Sequence, residues 1–140
     1  MSASTELSRT LTELDHLRIS NLVRLPSGRA IAGLAPAITD VIEAADLVSS
    51  YDVPPNVVTM YSQVLLADLS SGERRKLTVC YPHDAEPASG FVSVLSPVGA
   101  ALLGLSVGQT ANWTGPQGEP ASAQILELLF QPEGSGDYLL

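Results

Sequence analysis

Cysteine is nearly absent. Cys80 stands alone in 140 residues, so no internal disulfide can form, in keeping with a reducing compartment. Positive charge is also scarce: seven Lys and Arg against fifteen Asp and Glu leave a formal net charge of -8. Phosphate recognition needs clustered cations, so direct sequence-specific nucleic-acid binding is not expected, whereas docking on a basic or mixed protein surface is. No apolar run approaches the roughly 18 residues that would cross a bilayer. The opening MSASTELSRT lacks the basic start and apolar stretch of a secretory signal. The expectation is a cytoplasmic protein with no membrane partner. Aromatics make up 5% of the chain against 45% apolar residues in all, so the core must be aliphatic.

Chemical constellations are missing as well. His16 and His83 are the only histidines, they lie in different halves, and neither has a Cys or His at ligand spacing, so no metal site is expected. His83, in YPHDAEP, reads as an exposed loop residue, and Cys80 as a small buried hydrophobe within a strand. The glycines match no phosphate-binding loop. No catalytic residue set and no cofactor are predicted. GERRKL gathers three of the seven basic residues beside a turn, where charge commonly serves solubility and blunts edge pairing. Trp113, the single tryptophan, is expected to fill a sheet face.

What is present divides into two grammars at about residues 50–56, where Pro54-Pro55 forbids helix. Before the break, LTELDHLRISNLVRLP spaces Leu11, Leu14, Leu22 and Leu25 by threes and fours, with a capping signal from Thr12 to Asp15. APAITDVIEAADLVSS then puts Ile38, Val41, Ile42, Ala45 and Val48 on one face. Residues 1–52 thus predict a short antiparallel helical hairpin, each helix too short to stand without its partner. Residues 57–140 predict a sheet module. VVTMYSQVLLAD pairs with LSSGERRKLTVCYP across Ser71-Gly72, and FVSVLS is a third strand. PVGAALLG is a short helix between Pro97 and Gly104, and QTANWT and ASAQILELLF form a second hairpin. The class is α+β, an antiparallel sheet with one short helix on a face.

The run from Val58 to Trp113, VTMYSQVLLADLSSGERRKLTVCYPHDAEPASGFVSVLSPVGAALLGLSVGQTANW, followed by ILELLFQPEGSGDYLL, resembles the C-terminal module of the GreA/GreB transcript-cleavage factors. It is closer still to the branch of that family known as regulators of nucleoside diphosphate kinase. VTM, SGE, YP, SPVGAALLGL and the ending QPE..GDYLL carry the similarity, which covers residues 57–140 well and 11–50 only in architecture. The resemblance implies an FKBP-like fold for 57–140. It also implies docking on bacterial RNA polymerase at the rim of the secondary channel, where the module grips a coiled coil of the largest subunit. Carried over, the contact loop before the short helix is Leu95, Ser96 and Pro97; the cleavage factors often have a polar residue where this chain has Leu95.

Cleavage factors carry two acidic residues at the tip of a long coiled coil, which help to hold a catalytic magnesium ion. Magnesium wants carboxylate oxygens. Here Pro26 to Thr39 contains no Asp or Glu, and its one charge is Arg29. A helix of about 14 residues also reaches only about 21 Å. The reading is a non-enzymatic regulator of transcription elongation that binds polymerase, competes with the cleavage factors and does not stimulate cleavage. No residue suggests direct contact with nucleoside diphosphate kinase, so that link is read as indirect. Two alternatives stand beside it: an FKBP-like peptidyl-prolyl isomerase, for which the aromatic lining is thin and the fold alone no warrant, and a binding module for another protein partner.

Overall fold

A computed structural model describes residues 8–24, 35–115 and 117–137. The chain opens with strand β1 (Thr10–Thr12) and helix α1 (Glu13–Arg24), followed by α2 (Ala35–Ala44) and β2 (Asp46–Val48). Then come β3 (Gln63–Asp68), β4 (Arg74–Cys80), β5 (Phe91–Ser93), helix α3 (Pro97–Leu102), β6 (Thr110–Thr114) and β7 (Pro120–Phe130). Single 3-10 turns sit at Pro82–Asp84, Pro87–Ser89 and Glu133–Ser135. The fold is α+β, with strand order β5-β4-β3-β7-β6 in the main sheet.

Local chemistry explains most boundaries. The Asp15 N–H donates to Thr12 Oγ1 at 3.0 Å, which starts α1 where the capping signal placed it. Gly72, at φ 76°, turns β3 into β4. Alternation along β3 turns Val64 and Leu66 into the core. Where β3 meets β7 the register shifts twice, between Gln63 and Val64 and between Leu65 and Leu66. Such bulges increase local twist and curl the sheet.

Several expectations need correction. The main sheet is not wholly antiparallel, because β5 runs parallel to β4, pairing Thr78 with Phe91 and Cys80 with Ser93. The two 3-10 turns between them bring the chain back alongside the last three residues of β4. The strand expected from Val57 starts only at Gln63. Val58 instead gives its N–H to Leu105, and Tyr61 turns the chain at φ 65°. Leu11 belongs to β1, not to a helix, and is buried; the fully buried residue of α1 is Ile19. α2 ends at Ala44, so Val48 lies in β2, paired with Thr12 in a parallel two-stranded ribbon. Leu25 and most of the Pro26–Thr39 segment lie outside the described residues.

Leu11, Ile19, Ile38 and Val41 join Val58, Met60, Val64, Val79, Leu102, Leu105 and Ile125 in one aliphatic core. Cys80 is buried and Trp113 is half-buried against that core. The His83 side chain is 76% exposed.

Candidate partner-binding site: the short helix and its supports

α3 is set by what precedes it. β5 ends at Ser93, and the Leu95 N–H donates to Ser93 Oγ at 3.0 Å. Ser96 adopts extended backbone angles and caps the helix: its Oγ accepts from the Gly99 N–H at 3.2 Å and donates to the Ser93 carbonyl at 2.6 Å. Pro97 follows in the first turn, where its missing N–H is no loss. Gly99 lets the helix lie directly on β5. A Cβ there would sit 2.0 Å from the Ser93 carbonyl oxygen.

The structure therefore sorts the three sequence-derived contact residues. Leu95 is 3% exposed, lies in the core and gives its N–H to Ser93 Oγ, so its side chain is turned away from any partner. The Ser96 hydroxyl is engaged inwards on both sides. Ser96, Pro97 and Val98 are half-buried, and together they form the part of the loop that meets solvent.

The other end of α3 is closed by residues that sequence reasoning did not select. Arg9 Nη1 donates to the carbonyls of Ala100, Ala101 and Leu103 at 3.2, 3.0 and 2.7 Å. A cation on the last carbonyls of a helix satisfies orphan acceptors and complements the helix dipole. Burial lowers the Arg9 pKa from its ordinary value, though a guanidinium stays charged. Gly104, at φ 84°, then receives the Thr10 N–H on its carbonyl at 3.0 Å and donates its own N–H to Val58 at 2.8 Å.

Two of the motif fragments that carry the family resemblance meet beneath α1. The Met60 N–H of VTM donates to Asp15 Oδ2 at 3.2 Å. The Thr59 hydroxyl donates to Glu133 Oε1 of QPE at 2.7 Å, and Thr59 and Ser62 hydroxyls lie 2.9 Å apart. Gln131 Nε2 donates to the carbonyls of Pro54 and Val57 at 2.9 and 2.8 Å. Burial pushes the Asp15 carboxyl up to about 6, opposed by the Met60 N–H and reinforced by the Glu133 carboxylate. The Asp15–Met60 bond fastens the start of α1 to the entry of the sheet module, and Glu133 and Gln131 tie that entry to the module's C-terminal end. The junction is a polar clamp, with no nucleophile–base pair in it. Among the described residues no group of three His, Cys, Asp or Glu side chains is placed to hold a metal ion.

The family described as "Transcription elongation factor, GreA/GreB, C-term" matches residues 53–129. The chain is 42% identical over 132 residues to the "Regulator of nucleoside diphosphate kinase" of Escherichia coli (strain K12), covering 93% of this chain and 95% of that one. It is 43% identical over 67 residues to "Transcription elongation factor GreA" of Solidesulfovibrio magneticus, covering 48% of this chain and 40% of that one. Among solved structures, a "Prokaryotic transcription elongation factor GreA/GreB from Nitrosomonas europaea" superposes with a TM-score of 0.71 at 33% identity, over 88% of this chain and 100% of that chain.

Proposed function

The chain belongs to the GreA/GreB family of transcription elongation factors, and from that membership we propose that it is a non-enzymatic, cytoplasmic regulator that binds bacterial RNA polymerase at the rim of the secondary channel. In this reading residues 57–140 are the FKBP-like module that grips the coiled coil of the largest subunit. Residues 1–52 are a shortened helical hairpin that points into the channel. The loop at Ser96-Pro97 is the grip, with the Leu95 backbone behind it. The observation that carries the reading is the near end-to-end match to the Escherichia coli regulator, against a match to 40% of the Solidesulfovibrio magneticus GreA.

Bound there, the protein competes with cleavage factors and leaves cleavage unstimulated. The segment from Pro26 to Thr39 has no carboxylate to bring to a magnesium ion, and α1, with 12 residues, spans only about 18 Å. Regulation of nucleoside diphosphate kinase, by analogy with the relative's name, is then an indirect consequence of transcription. The test is binding to purified core polymerase with GreA as competitor, together with cleavage in a backtracked complex. The expected result is competitive binding and no acceleration of cleavage. Absence of binding at a few tens of micromolar, a range that even weak specific complexes reach, removes the proposal.

A further inference from the structure

The main sheet has two edges, and they are finished differently. β5 is short, and Glu86 closes its outer side: the Glu86 N–H donates to the Phe91 carbonyl at 2.8 Å, and the Phe91 N–H returns a bond to Glu86 at 3.1 Å. At the opposite edge stands β6, with the sequence TANWT and β7 on its inner flank. Natural sheets blunt an edge with lysine, proline, a bulge or a covering segment. β6 carries no charge and no proline, and its register with β7 runs unbroken from Thr110 to Thr114.

The hydrogen bonds show which backbone groups are open. The Ser122 carbonyl accepts from Leu69 on the β3 side of β7, whereas Ile125 exchanges bonds with Gly108 and Gln109 on the β6 side. Peptide groups alternate along an antiparallel pair. Ala121 and Ala123 therefore bond to Trp113 and Ala111, and the N–H and C=O groups of Thr110, Asn112 and Thr114 point out of the sheet. Among the described residues nothing bonds to them. The Asn112 side chain is drawn back towards β7, where its Oδ1 accepts from Ser122 Oγ at 2.6 Å, so it leaves the edge clear. Both ends of the strand are pinned: the Gly108 N–H donates to Ile125 at 2.8 Å and the Gly115 N–H to Glu119 at 2.7 Å. A preformed edge loses little freedom on pairing.

Charge narrows the choice of occupant. Two copies of a chain with net charge -8 repel each other over most of their surface. From Pro87 to Gly118 the sequence holds no Asp, Glu, Lys, Arg or His, and neither does the stretch of β7 beside β6, Pro120 to Gln124. Glu119, the nearest acid, is held at the hairpin turn, where its Oε1 accepts the Gln117 N–H at 3.0 Å. This edge is the neutral strip of an acidic molecule, and here two copies meet without opposing like charges.

We infer that β6 is a self-association edge, pairing antiparallel with β6 of a second copy about a two-fold axis at Asn112 and joining the two five-stranded sheets into one. The strand is self-complementary, as a two-fold interface requires. Asn112 meets its own counterpart, and Thr110 meets the partner's Thr114, for about six backbone hydrogen bonds in all. The contact is small, so the dimer is a transient one with a Kd on the order of 100 µM. The inference is independent of the polymerase reading and is tested on the purified full chain alone.

Sedimentation equilibrium from about 10 µM to about 1 mM spans the expected Kd. The mass should rise from monomer towards dimer, and the emission of Trp113, the single tryptophan and a residue of this strand, should change over the same range. Asn112→Lys sets two ammonium groups against each other across the axis and removes no backbone bond within the chain. It should weaken association at least about tenfold, with the thermal midpoint showing that the variant is folded. Thr114→Lys, at a second exposed edge position, should do the same and serves if the first variant folds poorly. A chain that stays monomeric at about 1 mM, ten times the expected Kd, overturns the inference. So does a dimer that both lysine variants form as readily as wild type, since another surface then holds it.

Discussion

α3 is only six residues long, and its two ends are held in opposite ways. At the inner end Arg9 reaches three carbonyls, and Gly104 is pinned between Thr10 and Val58. At the outer end the cap is local: the Ser96 hydroxyl bonds to Ser93 and Gly99, and Pro97 stands half-buried at the surface. One end fastens the N-terminal segment to the sheet module, and the other is left for an encounter. Substitutions at the inner end should therefore be read in stability, and substitutions at the outer end in binding.

The harshest test strikes between them. Gly99→Ala places a methyl where the Ser93 carbonyl oxygen lies, so helix and strand must part. Denaturant unfolding should show a loss of about 3 kcal/mol, at the upper end for overpacking. A loss under about 1 kcal/mol would mean that α3 can slide, and the contrast between its ends would weaken. Arg9→Met keeps the aliphatic stem and removes the donors from three carbonyls. It should lose about 2 kcal/mol, the scale for charged hydrogen bonds in a partly buried site. Affinity of the remaining folded protein for polymerase should be unchanged.

Asp15 sharpens the contrast through pH, because it anchors the segment that carries Arg9. Its folded pKa, about 6, is raised above the unfolded value of 3.8. Below about pH 4 both states hold the proton and the group has no effect on stability. Between about 4 and 6 only the folded state keeps it, so stability falls as pH rises, and the full penalty stands above 6. Asp15→Asn should remove this slope and raise stability near pH 7 by about 1–2 kcal/mol, provided its amide oxygen still accepts the Met60 N–H. Melting curves from pH 4 to 8 check this, and a slope that survives the substitution assigns it to another group.

The smallest change in stability should come from the outer end. Ser96→Ala loses the cap and about 1 kcal/mol, while Ser96→Ala and Pro97→Ala each weaken polymerase binding tenfold or more. Ser122→Ala, in the last hairpin, sets the baseline. If the loop variants bind like that control, the outer end is scaffolding and the distinction between the two ends disappears.

Much of this was legible in the residues, and for a consistent reason. Capping, turn geometry and alternation act over a few positions. Thr12 starting α1, Gly72 closing a hairpin, Ser96-Pro97 starting α3 and Gly104 ending it are all local events, readable as such. So were the aliphatic core, the buried Cys80 and the exposed His83. VTM, YP and QPE were recognisable as family marks, but nothing in their sequence neighbourhood disclosed what they touch. Thr59 meets Glu133 across 74 positions, and Arg9 meets Leu103 across 94.

The amino-acid sequence by itself determined the class of fold, the helix-then-sheet order, the family, and the acid-free segment after α1. Periodicity, caps and composition are properties of short stretches, and they survive without knowledge of what packs against them. Only the tertiary structure decided that β5 lies parallel to β4, that Leu95 turns inwards, and that Arg9 and Asp15 fasten the N-terminal segment to the sheet module. Each of these depends on which distant surface arrives opposite a residue. A buried carbonyl or carboxylate must find a partner wherever the fold provides one, and no local pattern records where that is.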